Sequence, residues 1–475
     1  MGVLTKAQYL SANSGGGWVT TPYSYSSAAA LANFFGPYVD PTNLTVSSLS
    51  KQHTAGSWGK AASDQTLVPG LLSNPVSMPG DPSKWASNVA SIFLQPFGLA
   101  NPDSTVSAVG ANDDILQATR DKLQPGFPIN VACKNSRPYP VLVGSILLNN
   151  KTASPRHFGM EFTPLYFGAP ALHDRLRPII LGGGLTEPLA MHTLAPRKKA
   201  AGNTGNETVD VYLLRAGSTS SLVHAMGISS SAIPLMLAPN NLLASQLLNG
   251  QILNYWNLWD YKQTLLSFVD GGAVDDLGVM PLLRRGVTTI VICLATHENP
   301  DSTIKAFAES EYALAGLFGA VPLNAKNAKG QPLKLHDTNS PATWNSMSQV
   351  FPAEGFPALF DQYKASFLQG GAHIFNATYQ VLPNSFHGVK GNYKVSVLWL
   401  LNGRSSQWEA ALPQETQQWL ASKRNASSGP YRGYPNVYNV LQAPAQLVSL
   451  LSQQASWAVR EKQSLVQDWV AAAAQ

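Results

Sequence analysis

Two short segments carry residue types able to do chemistry together: a serine among glycines near the start of the chain and an aspartate before two glycines far along it. The first is Ala12-Asn13-Ser14-Gly15-Gly16-Gly17-Trp18, directly after the strand-like Ala7-Gln8-Tyr9-Leu10. A sharp strand-to-helix turn lifts a serine Oγ out of a sheet, and such a turn requires small flanking residues, the places taken here by Ala12 and Gly16. The helix that follows offers backbone N–H groups, those of Gly15 and Gly16 first, to a developing anion. The second segment is Phe268-Val269-Asp270-Gly271-Gly272, at the end of an apolar run. An aspartate there stands at the carboxyl edge of a sheet, where open α/β sheets place their sites. A carboxylate can act as general base for a serine without any histidine. Each segment has a plainer reading as well: a Gly-rich surface turn for the first, an Asp-Gly β-turn for the second.

Nine histidines are present and none has a diagnostic setting; His297, after a strand end, is the best candidate for a third catalytic member. No His-Glu-x-x-His pattern and no Cys/His ligand spacing occurs, so neither a metal nor another cofactor is expected. Asp275-Asp276 read as a solvated turn, since adjacent residues point apart. Gly182-Gly183-Gly184 lacks the Lys-Ser/Thr of a phosphate loop and reads as lid flexibility.

These residues need a large frame to position them. The chain has 475 residues, 44% hydrophobic and 12% charged, with 11 Trp, 16 Tyr and 17 Phe. So many apolar anchors exclude disorder, and two cysteines, Cys133 and Cys293, exclude a disulfide scaffold. A net charge of +5 is too dilute for a nucleic-acid groove. Only Arg197-Lys198-Lys199 and Arg284-Arg285 concentrate basic charge, as a solvated loop or as weak attraction to anionic lipid. No apolar stretch reaches the ~18 residues of a spanning helix, and no signal-peptide pattern opens the chain. Buried strands are expected at 140–148, around Met160-Glu161-Phe162, at 265–269, 288–295 and 393–401. Helices are expected after Ser14, over 235–253 and over 443–473. Residues 37–130 and 297–390 read as loop-rich, and 182–206 as a long loop or lid. Strands alternating with helices indicate an α/β fold with a mixed central sheet.

Taken in order, the motifs resemble a known family. Ala12 to Trp18 is similar to the Gly-x-Ser-Gly-Gly/Ser-x-Trp elbow of the cytosolic phospholipase A2 and fungal phospholipase B (lysophospholipase) catalytic domain, of the patatin-like superfamily. Glu161-Phe162-Thr163-Pro164 with Gly168 resembles its Glu-Phe-(Ser/Thr/Asn)-Pro…Gly segment, and Met226-Gly227-Ile228-Ser229-Ser230-Ser231 its Gly-Thr-Ser-Ser-Ser stretch. Val269 to Gly272, with Pro281-Leu282-Leu283 and Arg284-Arg285-Gly286-Val287, resembles its catalytic-aspartate block, and Tyr434-Pro435-Asn436 also fits. The resemblance implies a single layered patatin-like α/β domain over 1–475 with loop-rich lid and cap insertions. It implies Ser14 as nucleophile, Asp270 as base, and Arg285 facing a substrate phosphate. The implied activity is cleavage of fatty-acyl esters of glycerophospholipids or lysophospholipids at a phospholipid membrane surface, by a soluble peripheral protein, cytoplasmic in preference to secreted or lysosomal. An acyltransferase or general esterase would use the same chemistry, and a lipid-binding relative would keep the fold without turnover. The pattern departs at Ala12, where the family has glycine, and in lacking an upstream Gly-Gly loop and arginine for the oxyanion. Only Gly15 and Gly16 remain as a partial oxyanion site, so the expectation is an N-terminally incomplete sequence.

Overall fold

The apolar run after Pro138 becomes the hub of the main sheet. The computed structural model describes residues 3–51, 53–63, 84–108, 126–132, 137–148, 157–173, 180–188, 194–197, 210–213, 221–231, 251–257, 262–326, 340–437 and 443–473, with the single positions Asp114, Gln117, Asp121 and Gln331. Among these the chain is mixed α/β, with sixteen α-helices and several sheets. Its strands are β1 (Tyr9–Asn13), β2 (Thr105–Ala108), β3 (Ile129–Ala132), β4 (Tyr139–Leu147), β5 (His157–Phe162), β6 (Phe167–Ala169) and β7 (Gly184–Thr186). They continue with β8 (Leu194–Arg197), β9 (Asp210–Leu213), β10 (Gln251–Asn257), β11 (Lys262–Asp270), β12 (Thr289–Leu294), β13 (Ile374–Val381) and β14 (Tyr393–Leu401). No helix among the described residues is long and apolar enough to cross a membrane.

β4 is buried from Pro140 to Ile146, as a Val/Leu/Ile run covered on both faces should be. The main sheet runs β10-β11-β4-β5-β6-β7, and β1 also joins β4. β5 occupies one edge of β4, from Leu142↔Phe162 to Leu147↔His157. The other edge is divided. β1 lies parallel along its first half, ending at Asn13↔Val143. β11 lies antiparallel along its second half, ending at Asp270↔Gly144. Two strands therefore run toward each other on one edge and stop at adjacent rungs. The helix Leu222–Ser229 packs on this sheet, with Ile228 and Phe162 filling the space beside Gly144.

A second sheet, ordered β12-β14-β13, pairs β12 parallel and β13 antiparallel to β14. Its cover includes the helix Gly355–Leu368, which buries Phe356, Leu359, Phe360 and Tyr363 at helical spacing. These meet Phe307, Phe318 and the fully buried Trp399 in one apolar cluster.

Several expectations are corrected. Residues 297–390 are not loop-rich: they hold the helices Ile304–Ser310, Tyr312–Gly316, Pro341–Ser348 and Gly355–Leu368 and the strand β13. The period-3.6 positions there were hidden among Pro, Gly and Asn. Gln251, Ile252 and Leu253 lie in β10, whose partner β11 supplies a complete antiparallel ladder; the rest of the expected helix, 235–250, lies outside the described residues. The segment 182–206 carries β7, paired with β6, and β8, paired with β9. Lys198 and Lys199 lie outside the described residues.

Candidate active site

Ser14 stands where β1 becomes the helix Ser14–Tyr25. Asn13 is extended (φ −130°, ψ 169°), whereas Ser14 has φ +45°, a conformation that a non-glycine residue keeps only when its surroundings impose it. The surroundings are tight. A Cβ on Gly16 would come within 3.3 Å of the Ala12 Cβ, so the two flanking positions must both be small, as expected from the elbow pattern. The Ser14 N–H donates to Ser229 Oγ at 3.2 Å, and Ser229 Oγ donates to the Val143 carbonyl at 2.7 Å. One buried hydroxyl thus ties the elbow to the rung of β4 opposite Asn13. The first-turn N–H groups of Gly15 and Gly16 have no protein acceptor among the described residues, and no acidic side chain occupies that turn. Both glycines are exposed.

Asp270 ends β11 and caps the short 3-10 turn Gly271–Ala273, its Oδ1 accepting the Gly272 N–H at 2.7 Å. Its carbonyl accepts Ser145 Oγ at 2.7 Å, which fixes the strand end, and the residue is buried. The two turns are packed against each other. A Cβ on Gly271 would lie 2.3 Å from the Val143 carbonyl oxygen and 3.1 Å from the Asn13 Cβ, so no side chain fits there. Asn13 Nδ2 donates across to the Asp275 carbonyl at 2.8 Å and reaches Asp276 Oδ1 at 3.5 Å. Ser14, Gly15, Gly16 and Asp270 are therefore brought to one place, though no hydrogen bond joins Ser14 Oγ to Asp270 among the described residues.

Asp275 is not on a solvated turn. It is buried, and its carboxylate accepts the N–H groups of Val279 (3.1 Å) and Met280 (2.8 Å), starting the helix Met280–Arg284. Burial pushes its pKa up to about 6, against the two amide hydrogen bonds and Arg284. Asp275 is buried and Asp276 partly so because the turn folds back over β1: a Cβ on Gly278 would lie 3.3 Å from Ser11 Oγ and 3.4 Å from Ala12.

Arg285 is turned toward Glu161. Its Nη2 and Nη1 lie 2.7 and 3.1 Å from the two Glu161 carboxylate oxygens, Arg284 also bonds Glu161, and the Tyr166 hydroxyl joins the cluster. Glu161 is 2% exposed and each arginine 18%. Burial alone would raise the Glu161 pKa; Arg285 and Arg284 overrule it and hold the carboxyl below its usual range. Arg285 also lies over the Tyr9 ring, 5.7 Å from its centroid. Glu161 is in register with Val143, and Val143 with Asn13, so the ion cluster sits two strand spacings, about 10 Å, from the elbow. The structure does not bring Arg285 directly to Ser14.

His297 pairs with the buried Glu311: Nδ1 lies 3.1 Å from Oε2, and the His297 N–H donates to Oε1. Burial lowers its pKa, but Glu311, Asp276 and Glu298 together raise it above the usual value. Reading the sequence missed the tying roles of Asn13 and Ser229 and the burial of Asp275; only the spacing of Asp275-Asp276 behind Asp270 hinted at them.

No family model matches the chain, and no curated protein matches it. Among solved structures, the human GIVD cytosolic phospholipase A2 superimposes with a TM-score of 0.36 at 12% identity, covering 71% of this chain. The chain spans 42% of the length of that structure.

Proposed function

We propose that the chain is a serine hydrolase that cleaves fatty-acyl esters of glycerophospholipids or lysophospholipids. The observation that carries this reading is the meeting of β1 and β11 on one edge of β4, which delivers Ser14, at φ +45°, and Asp270 to the same break in the sheet. The substrate class follows from the motif resemblance. In the proposed reaction Ser14 Oγ attacks the ester carbonyl carbon and its proton passes to the Asp270 carboxylate. The Gly15 and Gly16 N–H groups face the oxyanion. Collapse expels the alcohol, which takes the proton from Asp270, and leaves an acyl ester on Ser14. Water then attacks the acyl carbonyl, giving a proton to Asp270, and collapse releases the fatty acid while Ser14 Oγ takes that proton back from Asp270. Catalytic hydrogen bonds commonly tighten only when substrate is bound, so the Ser14–Asp270 contact belongs to that complex. As a headgroup ligand, Arg285 would have to exchange Glu161 for a phosphate oxygen, and the membrane surface is the proposed partner.

A fluorophosphonate probe tests the reading. Labelling at Ser14, abolished in Ser14→Ala, together with release of fatty acid from lysophospholipid micelles, is the expected result. Transfer of the acyl group to an added alcohol in preference to water would make the chain an acyltransferase. An unlabelled Ser14 in a folded protein that still binds phospholipid vesicles would make it a lipid-binding protein instead.

A further inference from the structure

A second carboxylate stands beside Asp270. The point where a Cβ on Gly272 would lie is 2.6 Å from Asp276 Oδ1 and 3.0 Å from Asp270 Oδ1, so the two carboxylates approach each other through the space that only a glycine leaves open. Asp276 is held toward that space by Asn13, the residue before the nucleophile. His297, its ring and amide both bound to Glu311, lies within electrostatic range of Asp276. The groups facing Asp276 are thus Asp270 and Asp275 from its own turn, Asn13 from β1, and His297, Glu311 and Tyr312 from the segment after β12.

We propose that Asp276 is a positioning residue for the base: its negative charge, close beside that of Asp270, drives the Ser14 proton onto Asp270. This rests on the hydrolase reading above, with Asp270 as proton acceptor. When Ser14 loses its proton to Asp270, a carboxylate pair of charge −2 becomes a pair of charge −1 sharing one proton. Like charges held this close favour that change. His297 acts in the opposite sense, because its positive charge stabilises the ionised pair and limits how tightly a proton is held. Burial, the largest influence, and Glu311 raise the Asp276 pKa above its usual value, against Asn13 and His297, which lower it. The two carboxylates titrate as one unit, so their behaviour appears in the acidic limb of the rate profile rather than in either residue alone.

The experiment is the pH dependence of kcat/KM on p-nitrophenyl butyrate for the full chain and for Asp276→Asn and His297→Gln, with Ser14→Ala and Asp270→Asn alongside. In Asp276→Asn the plateau should fall roughly tenfold while the acidic limb moves about one pH unit lower, since a weaker base also ionises more easily. In His297→Gln the limb should move to higher pH. A structural role for Asp276 would lower the rate without moving the limb, and an unmoved limb in either folded variant overturns the proposal. Should Asp276→Asn fail to fold, the half-buried His297→Gln decides by the same criterion. Retained activity in Ser14→Ala or Asp270→Asn overturns the hydrolase reading and this proposal with it, whereas loss there with an unmoved limb overturns this proposal alone.

Discussion

Gly271→Ala isolates the contact that joins the two turns. The added Cβ would stand 2.3 Å from the Val143 carbonyl oxygen, 2.7 Å from its carbon and 3.1 Å from the Asn13 Cβ. The first two neighbours are backbone in the middle of a buried ladder, so rotating a side chain gives no relief. Restoring ordinary contact at 3.4 Å or beyond moves the Asp270 turn away from Val143 of β4 by about 1 Å. Overpacking of this kind destabilises by about 1–3 kcal/mol, and a 1 Å misplacement of a catalytic group costs about 10²-fold in rate. The assay is kcat/KM on p-nitrophenyl butyrate per folded molecule, with stability read by denaturant melts. Gly159→Ala is the control: it lies in β5 of the same sheet, where a Cβ meets only Val274 Cγ2 at an ordinary 3.8 Å. The expected result is a loss near two orders of magnitude in Gly271→Ala and close to none in the control. Full activity in Gly271→Ala would falsify the view that the meeting of these turns sets the site.

Ser229→Ala removes the hydroxyl bridging Val143 and Ser14 and should cost about 1–3 kcal/mol by leaving a buried carbonyl unmatched, measured by denaturant melts, together with a fall in fluorophosphonate labelling at Ser14. Glu161→Gln strands two arginines beside a neutral amide; with the arginines partly solvated, the expected loss is about 2 kcal/mol or more, and the two arginines should lose part of their order. Because the folded state holds Glu161 below its usual range, its contribution is complete above the unfolded value and lost as pH falls through the folded one, so wild type and Glu161→Gln should converge in stability on acidification. Asp275 has the opposite sign: with a folded value of about 6, the native state holds a proton that the unfolded chain releases, so this group's contribution falls as pH rises from about 4 to 6. Stability of wild type relative to Asp275→Asn should therefore decline over that window, and a constant difference would refute it.

The apolar runs made the sheet legible. β4 is a long Val/Leu/Ile stretch that burial on both faces leaves no other environment, and β11, β12 and β14 carry shorter apolar runs whose buried positions face the core. The elbow was legible for a different reason: a tight turn admits few residue types, and Ala12 and Gly16 meet at the spacing that excludes anything larger. The helices between 304 and 368 escaped notice because most are short and most carry Gly or Pro in an end turn, and because their buried residues find partners such as Phe307 and Phe318 only in the tertiary packing. Asp275 and Asp276 were misjudged for one shared reason. A charged side chain looks solvated until its partners are known, and here those partners are the Val279 and Met280 amides and Asn13, which lie one turn or one strand away. Register, too, is invisible in a sequence: nothing in Tyr9-Leu10-Ser11-Ala12-Asn13 states that it ends one rung from Asp270.

That rung explains why Ser14 and Asp270 come to the same point of the sheet. A ladder continued by a single strand would use every backbone group between Val143 and Gly144 for pairing. Here two strands end head to head, and each chain must leave the edge at once. β1 leaves as a helix, which exposes the first-turn amides of Gly15 and Gly16; β11 leaves as a 3-10 turn, which fixes a carboxylate by its own Gly272 N–H. Neither exit could relax without breaking the other, because Asn13 is bonded to the second turn and Gly271 is pressed against the first. The unfavourable φ of Ser14 is held by this mutual restraint and by Ser229, together with the close approach of Ala12 and Gly16. The strained serine, the open amides and the buried aspartate are thus consequences of a single feature of the topology, a shared strand edge with a break in it.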